Sequence, residues 1–124
     1  MEIARTGVIL NTENYDACAA FYQDLFNLDF ISEKEEENGF KLTCLSFGDS
    51  YLLIETEGFA KPTGKSIKEN CTKLRFNVID LEGALTSIKA HGVDAEITKN
   101  SWGNTINIYD PDGNRVGIRE GTTF

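Results

Sequence analysis

Residues 73–92, KLRFNVIDLEGALTSIKAHG, place an alternating strand directly before an amphipathic helix. Leu74 and Phe76 alternate with charged or polar residues, which is typical of a strand with one buried face. The helix is predicted to begin at the N-cap Asp80 and to stop at Gly92, whose flexible backbone suits a left-handed ending. Three strand-like stretches follow, VDAEITK, NTINIYD and NRVGIRE, with DPDGN as the turn between the last two. The order is therefore βαβββ.

The first half of the chain shows the same order. A strand in GVILNT precedes a predicted helix in ENYDACAAFYQDLFNL, with Asn14 as N-cap and Asn27 as a left-handed end. The stretches DFISEKEEE, FKLTCLSFG and SYLLIETE then read as strands. The separation between Asn11 and Asn77 equals the separation between Asn14 and Asp80. One supersecondary unit is therefore used twice.

The repeat predicts an α+β fold of two βαβββ modules in one compact domain. We expect the first module in residues 1–57 and the second in residues 73–124. Residues 58–72, which are polar and contain Pro62 and two glycines, are predicted to form a solvated linker.

Composition narrows the classes of function. A formal charge of -8 in 124 residues disfavours general binding to nucleic acid or to anionic membranes. The sequence has no signal-peptide pattern and no apolar stretch long enough to span a bilayer, so we expect a cytoplasmic protein. Cys18, Cys44 and Cys71 form no CxxC spacing, and no nucleotide-binding glycine motif occurs, so neither a disulfide framework nor a nucleotide cofactor is predicted.

The duplicated βαβββ order, together with AFYQDLFNLDF, HGV and WGNTINIYDPDGNRVGI, resembles the vicinal oxygen chelate superfamily. This superfamily includes glyoxalase I, extradiol dioxygenases, fosfomycin-modifying enzymes and bleomycin resistance proteins. The resemblance covers essentially the whole chain and implies two curved sheets around a shared cleft. It also implies, for metal-dependent members, one metal ligand on each of four strands.

Most of the implied ligand positions hold residues without a donor for a metal. Carried over by motif, the four positions are Gly7, Glu55, Lys73 and Gly117. Glycine has no side-chain donor and a protonated lysine has no free lone pair. The single histidine, His91, falls at a predicted helix end. We therefore predict no metal and no cofactor, and a Lys73–Glu55 pair in place of the metal as the charged centre of the cleft.

Strand parity gives a second, independent prediction of the cleft face. If Leu52, Leu74 and Val116 face the helices, the residues between them face the other way. The opposite face then collects Arg5, Gly7, Ile9, Asn11, Tyr51, Leu53, Glu55, Lys73, Arg75, Asn77, Arg115, Gly117 and Arg119. It holds five of the 12 basic residues but only one of the 20 acidic ones.

This excess of positive charge predicts a cleft for a carboxylate, phosphate or similar anion, because arginine presents a planar fork to such oxygens. The predicted ligand-binding residues are Lys73, Arg75, Asn77, Arg119, Asn11, Tyr51 and Trp102. Trp102 is expected to form an apolar wall or simply to pack between the modules.

Three functions remain open from the sequence. The first is a metal-free binding protein, similar to bleomycin resistance proteins, for a small anionic or polar-aromatic molecule. The second is a glyoxalase-like lyase or isomerase, or a dioxygenase-related enzyme, with Glu55 as catalytic general base and Lys73 or Arg75 stabilising an enediolate. The third is an interaction module with a vestigial cleft. A homodimer is also expected from exposed sheet edges, with the cleft formed either within one chain or between two.

Overall fold

The computed structural model describes residues 1–124, which form two compact units, Met1–Ala60 and Lys61–Phe124. The first unit contains one sheet and one helix in the predicted βαβββ order. Its elements are β1 (Gly7–Asn11), α1 (Tyr15–Ala20) continued by a π-helical turn (Phe21–Leu25), β2 (Phe30–Glu35), β3 (Lys41–Phe47) and β4 (Ser50–Glu55).

The second unit repeats this order, which confirms the α+β fold of two βαβββ modules. Its elements are β5 (Leu74–Val78), α2 (Leu81–Ala90), β6 (Ile97–Asn100), β7 (Gly103–Tyr109) and β8 (Arg115–Glu120). Neither helix is long and apolar enough to cross a membrane.

The two sheets have the same topology. Their strand orders are β1-β4-β3-β2 and β5-β8-β7-β6, with the first pair of each parallel and the others antiparallel. Asn11 pairs with Glu55 in the first sheet, and Asn77 pairs with Arg119 in the second. The predicted repeat of Asn11 and Asn77 is thus a repeat of strand register as well as of sequence.

Helix ends follow the predicted signals closely. The Asp80 side chain accepts a hydrogen bond from the Gly83 backbone N–H at 2.9 Å, and Gly92 has a φ of 89°. Asn27 has a φ of 52°, the left-handed conformation that asparagine tolerates. Asn14 occupies the N-cap position of α1 but makes no side-chain capping bond there.

The second half of the first helix differs from the predicted α-helix. Residues Phe21–Leu25 form a π-helical turn, whose i→i+5 spacing is wider than that of an α-helix. Phe21 and Tyr22 are both buried and meet edge to face at 5.0 Å, and Tyr22 stacks on Phe26 at 6.1 Å. Adjacent residues of an α-helix diverge by about 100°. The wider turn is consistent with both neighbouring rings reaching the core.

Burial confirms the predicted strand parity. Leu52, Ile54, Val116 and Ile118 are almost completely buried on the helix side of their sheets. Each fully buried aliphatic side chain of this kind contributes about 1.5–3 kcal/mol to folding. The face opposite the helix, here called the open face of each sheet, therefore carries the residues that parity assigned to it.

A buried polar turn organises the end of β7 and the start of β8. The Asp110 carboxylate accepts hydrogen bonds from the backbone N–H groups of Asp112 and Asn114, each at 2.9 Å, and from the Asn114 side chain. All three residues are buried. The DPDGN stretch thus forms a buried turn held by hydrogen bonds to the Asp110 side chain, which is a more specific structure than the turn predicted for it.

The segment before β5 is hydrogen-bonded to this buried turn. Lys65 is 4% exposed, and its Nζ donates to Asn114 Oδ1 at 2.8 Å. The backbone N–H groups of Lys61 and Lys65 donate to the carbonyls of Asp112 and Gly113. A solvated connector was expected here, and the burial of Lys65 contradicts that expectation at this residue. Composition alone does not predict the burial of Lys65, because its partner, the side-chain oxygen of Asn114, is distant in sequence.

Candidate functional site

The open face of the second sheet brings two cations together over one glycine. Arg75 on β5 pairs with Gly117 on β8, and Lys73 lies just before β5. A Cβ placed on Gly117 would lie 2.9 Å from Lys73 Cε and 3.2 Å from Arg75 Nε. The missing side chain at position 117 therefore provides the space in which both cationic side chains lie.

Lys73 crosses that space to reach the next strand. Its Nζ donates to Asn107 Oδ1 on β7 at 2.6 Å, and Asn107 pairs with Gly117 in the sheet. Partial burial, followed by the nearby charges of Arg75 and Arg115, lowers the pKa of the Lys73 ammonium. Burial is the larger cause of this shift, and the two arginines add to it in the same direction.

Arg115, at the start of β8 directly after the buried turn, is the third cation near Lys73 and Arg75. Its Nη2 donates to the backbone carbonyl of Asn70 at 3.1 Å, an uncharged partner. Within the second unit, none of Lys73, Arg75 and Arg115 forms an ion pair with a carboxylate. We call these three residues with Asn107 and Gly117 the cationic cluster.

The other end of the same face is organised around Arg119. Arg119 Nη1 and Asn77 Nδ2 donate to the same backbone oxygen, that of Thr123, at 2.6 and 3.0 Å. Arg119 Nη2 donates to the Trp102 carbonyl, and the guanidinium lies 5.5 Å from the centre of the Trp102 ring. Four predicted or newly found residues thus meet at this point, where both terminal nitrogens of Arg119 and the Asn77 amide already donate to backbone oxygens, while Arg119 Nε is buried without a partner.

The open face of the first sheet carries the remaining predicted residues. Asn11 Nδ2 donates to the Thr56 carbonyl at 2.9 Å and more weakly to Glu55 Oε2 at 3.5 Å. The Tyr51 ring occupies the space beside Gly7 and lies under the Arg5 guanidinium, 5.5 Å from its carbon. Ile9 is 56% exposed on this face. This surface is more apolar than that of the second sheet.

The register separates Glu55 from the ligand position carried over to Gly117. In the second sheet Gly117 pairs with Arg75. The equivalent pair in the first sheet is Leu53 with Ile9, so Leu53 is the counterpart of Gly117. Glu55 is instead the counterpart of Arg119, one side-chain repeat further along the strand. Pairing of Lys73 with Glu55 and a catalytic role for Glu55 remain predictions.

Two shallow hollows of about 460 and 370 Å³ lie elsewhere on the first unit. Both are lined by Tyr15, Asp16 and Lys41, with acidic residues around them, and neither contains a predicted site residue. Their shape and charge do not match an anion site.

Sequence reasoning missed Asn107 and Thr123. Parity applied to NTINIYD places Asn107 on the same face as Gly117, so the signal for Asn107 was present in the strand pattern. Thr123 contributes only its backbone oxygen, and no side-chain pattern reports on that.

Comparison with known proteins identifies the family. The chain belongs to the glyoxalase/bleomycin resistance protein/dioxygenase superfamily, whose family model matches residues 3–118. This confirms the resemblance seen in the sequence. A search of curated proteins gave no match.

Solved structures share this fold. The fosfomycin resistance protein FosX from Listeria monocytogenes is 18% identical, with a TM-score of 0.79 over 98% of this chain and 96% of that one. Lactoylglutathione lyase from Agrobacterium tumefaciens is 21% identical, with a TM-score of 0.69 over 95% and 93%. TnmS3, an antibiotic binding protein from Streptomyces sp. CB03234, is 16% identical, with a TM-score of 0.71 over 98% and 99%.

A metal is present in one of these relatives, since a FosX structure is complexed with Mn(II) and a sulfate ion. The residues of this chain do not fit such a centre. A side chain at position 7 would overlap the Tyr51 ring, and one at position 117 would meet Lys73 and Arg75. No three His, Cys, Asp or Glu side chains come together in a group able to hold a metal ion. Of the four implied ligand positions, only Glu55 carries a donor for a metal; the space at position 7 is filled by an aromatic ring, and positions 73 and 117 are occupied by cationic side chains.

Proposed function

We propose that this protein binds a small molecule through an anionic group and does so without a metal. The observation that carries the proposal is the cationic cluster, in which Lys73 and Arg75 lie over Gly117 without an ion pair in their own unit. A carboxylate or phosphate placed there would receive charge-assisted hydrogen bonds and relieve the repulsion among the three cations.

The rest of the ligand is expected to be apolar or aromatic. In this proposal Trp102, which is 56% exposed and lies in the same unit as the cationic cluster, supplies an aromatic surface for that part of the ligand. The description of TnmS3 as an antibiotic binding protein supports a binding role for this fold.

Isothermal titration calorimetry with inorganic phosphate and with benzoate tests the proposal. Lys73→Met removes one charge of the cluster and is expected to weaken binding about tenfold or more, because a hydrogen bond to a charged group contributes about 1.5–3 kcal/mol. Lys89→Met, on the exposed side of α2, removes the same charge outside the cluster and serves as the matched control. Equal isotherms for both variants and the wild type would contradict the proposal.

Native mass spectrometry of the purified protein gives the natural ligand directly. The expected result is an added mass that disappears in Lys73→Met and persists in Lys89→Met. An added mass retained equally by both would place the bound molecule away from the cluster.

The enzymatic function with Glu55 as general base is the competing prediction. Stimulation of a lyase or isomerase activity by Zn²⁺ or Ni²⁺, abolished by a chelator and by Glu55→Gln, would replace the binding function proposed above. The binding proposal expects no such stimulation, since the donor positions do not suit a metal.

Two further predictions belong to the same proposal. A homodimer would form through the outermost strands, which are β1 and β2 in the first sheet and β5 and β6 in the second. Light scattering on a size-exclusion column tests this dimer.

A cytoplasmic location is expected from the sequence and would be tested by fractionation of the source cells.

A further inference from the structure

The short segment 121–124 returns over the open face of the second sheet. Gly121 N–H donates to the Val78 carbonyl at 2.8 Å, and Gly121 has a φ of 98°, which a residue with a side chain rarely adopts. The chain turns back at this glycine. The Thr123 oxygen then lies between the Arg119 guanidinium and the Asn77 amide.

Two donors that converge on one oxygen are the elements of an oxyanion site. Arg119 Nη1 and Asn77 Nδ2 belong to paired positions of neighbouring strands, so the sheet fixes their separation. The oxygen that they hold comes from the protein itself. Arg119 is further fixed by its bond to the Trp102 carbonyl and by the Trp102 ring.

The cationic cluster lies on the same face, next to this closed end. Arg75 and Asn77 are two residues apart on β5, which is about 7 Å along a strand. In the cluster, by contrast, Lys73 and Arg115 donate to separate oxygens, those of Asn107 and Asn70, and no single oxygen is shown bridging two of the cations. The face therefore offers one accessible anion position at the cationic cluster. A second position, two residues further along the strands at Asn77 and Arg119, is covered by the Thr123 carbonyl.

We propose that segment 121–124 is an internal competitor for ligand at the Arg119–Asn77 end of the open face. A ligand with a single oxyanion group binds the cationic cluster without disturbing the segment. A linear molecule with two oxyanion groups about 7 Å apart reaches both positions only when the Thr123 carbonyl leaves. The segment thus selects against extended dianions, and its opening admits them. This inference rests on the proposed anion-binding function.

The energetic consequence follows from population shift. When the binding-competent arrangement is only fractionally populated, the apparent dissociation constant rises by the inverse of that fraction. Weakening the closed arrangement should therefore tighten binding of the extended dianion and leave binding of the single anion unchanged. That difference separates internal competition from a general change in the site.

Gly121→Val is the variant that weakens the closed arrangement in the full chain, because a β-branched residue at a φ of 98° is strained. Gly39→Val is the matched control, since Gly39 has a φ of 90° and, like Gly121, has no neighbouring atoms that an added Cβ would meet. Gly39 lies in the turn between β2 and β3, in the other unit. A chain ending at Glu120 provides a second way to remove the segment.

Calorimetric titration compares adipate, a linear dicarboxylate, with inorganic phosphate. We expect Gly121→Val to tighten adipate binding about tenfold and to leave phosphate binding within about twofold of the wild type. Gly39→Val should change neither. Unchanged adipate affinity in both Gly121→Val and the shortened chain, with phosphate still bound, would overturn the inference. Absence of phosphate binding to the wild type would instead contradict the proposed function.

Trp102 provides a direct readout, because it is the single tryptophan and Arg119 lies against its ring. Adipate should change the Trp102 fluorescence of the wild type, and phosphate should not. Gly121→Val should show part of that change before any ligand is added. Identical emission in Gly121→Val and in the wild type, with and without adipate, would count against displacement of the segment.

Discussion

Lys73 and Asn107 are joined across an intervening strand. Lys73 precedes β5 and Asn107 lies on β7, yet Nζ and Oδ1 are 2.6 Å apart because the side chain passes over Gly117 of β8. The partner of this ammonium is uncharged, and the charges closest to it are also positive. Lys73 is therefore a partly buried cation without an ion pair in its own unit, and the proposed anion site rests on this feature.

Gly117→Ala should weaken anion binding while leaving the fold intact. The new Cβ would lie 2.9 Å from Lys73 Cε and 3.2 Å from Arg75 Nε, so both flexible side chains must move. We expect about a tenfold loss of phosphate affinity by calorimetry. The far-ultraviolet circular dichroism should not change. Full affinity in this variant would show that the cations need no empty space at position 117.

Lys73→Met should stabilise the protein slightly at neutral pH even though it weakens binding. Burial and the neighbouring arginines disfavour the charged ammonium, as its lowered pKa indicates. Loss of the hydrogen bond to the exposed Asn107 offsets part of this gain, so we expect a net increase of about 0.5 kcal/mol in the free energy of unfolding. Urea denaturation measures it. A clear loss of stability would mean that Lys73 is mainly structural.

The pH dependence follows from the same shift. Since the pKa of Lys73 is lower in the folded protein than in the unfolded chain, the folded state releases this proton first as the pH rises. The stability of the wild type relative to Lys73→Met should therefore increase with pH, between the lowered pKa and the ordinary lysine value near 10.5. Anion affinity should fall over the same interval, because the ligand prefers the charged form. Parallel pH profiles for the two proteins would contradict this account.

Asp110→Ala should be strongly destabilising. It removes the acceptor of two buried backbone N–H groups and of the Asn114 side chain, which in turn holds Lys65. We expect a loss of about 3 kcal/mol in the free energy of unfolding, because buried donors are left without this partner. Asp49→Ala, in the exposed turn before β4, is the control and should stay within about 0.5 kcal/mol of the wild type.

The fold was largely predictable because its information is local. The strand and helix patterns, the Asp80 cap and the left-handed Asn27 and Gly92 are set by residues close in sequence, and the structure confirms them. The π-helical turn was not predicted, since both adjacent aromatic residues, Phe21 and Tyr22, are buried by tertiary packing. The buried Lys65 was missed for the same reason.

The candidate site was predictable in its face but not in its contacts. Strand parity placed Lys73, Arg75 and Arg119 on one side of the second sheet, and burial agrees with that parity. Parity does not show which donors are already occupied. Arg119 and Asn77 donate to the Thr123 oxygen and Lys73 donates to the Asn107 amide oxygen, whereas neither Lys73 nor Arg75 forms an ion pair with a carboxylate in its unit.

The most direct test of the account is a phosphate titration of the wild-type protein in the presence of a chelator, repeated with Mn²⁺ or Ni²⁺ after the chelator has been removed by dialysis. Binding through Lys73, Arg75 and Arg115 requires no metal, so the two calorimetric isotherms should coincide within error. The same titration of Lys73→Met should show affinity reduced about tenfold or more under both conditions. Binding that appears only with the added metal would contradict the central claim that the cationic cluster itself holds the anion.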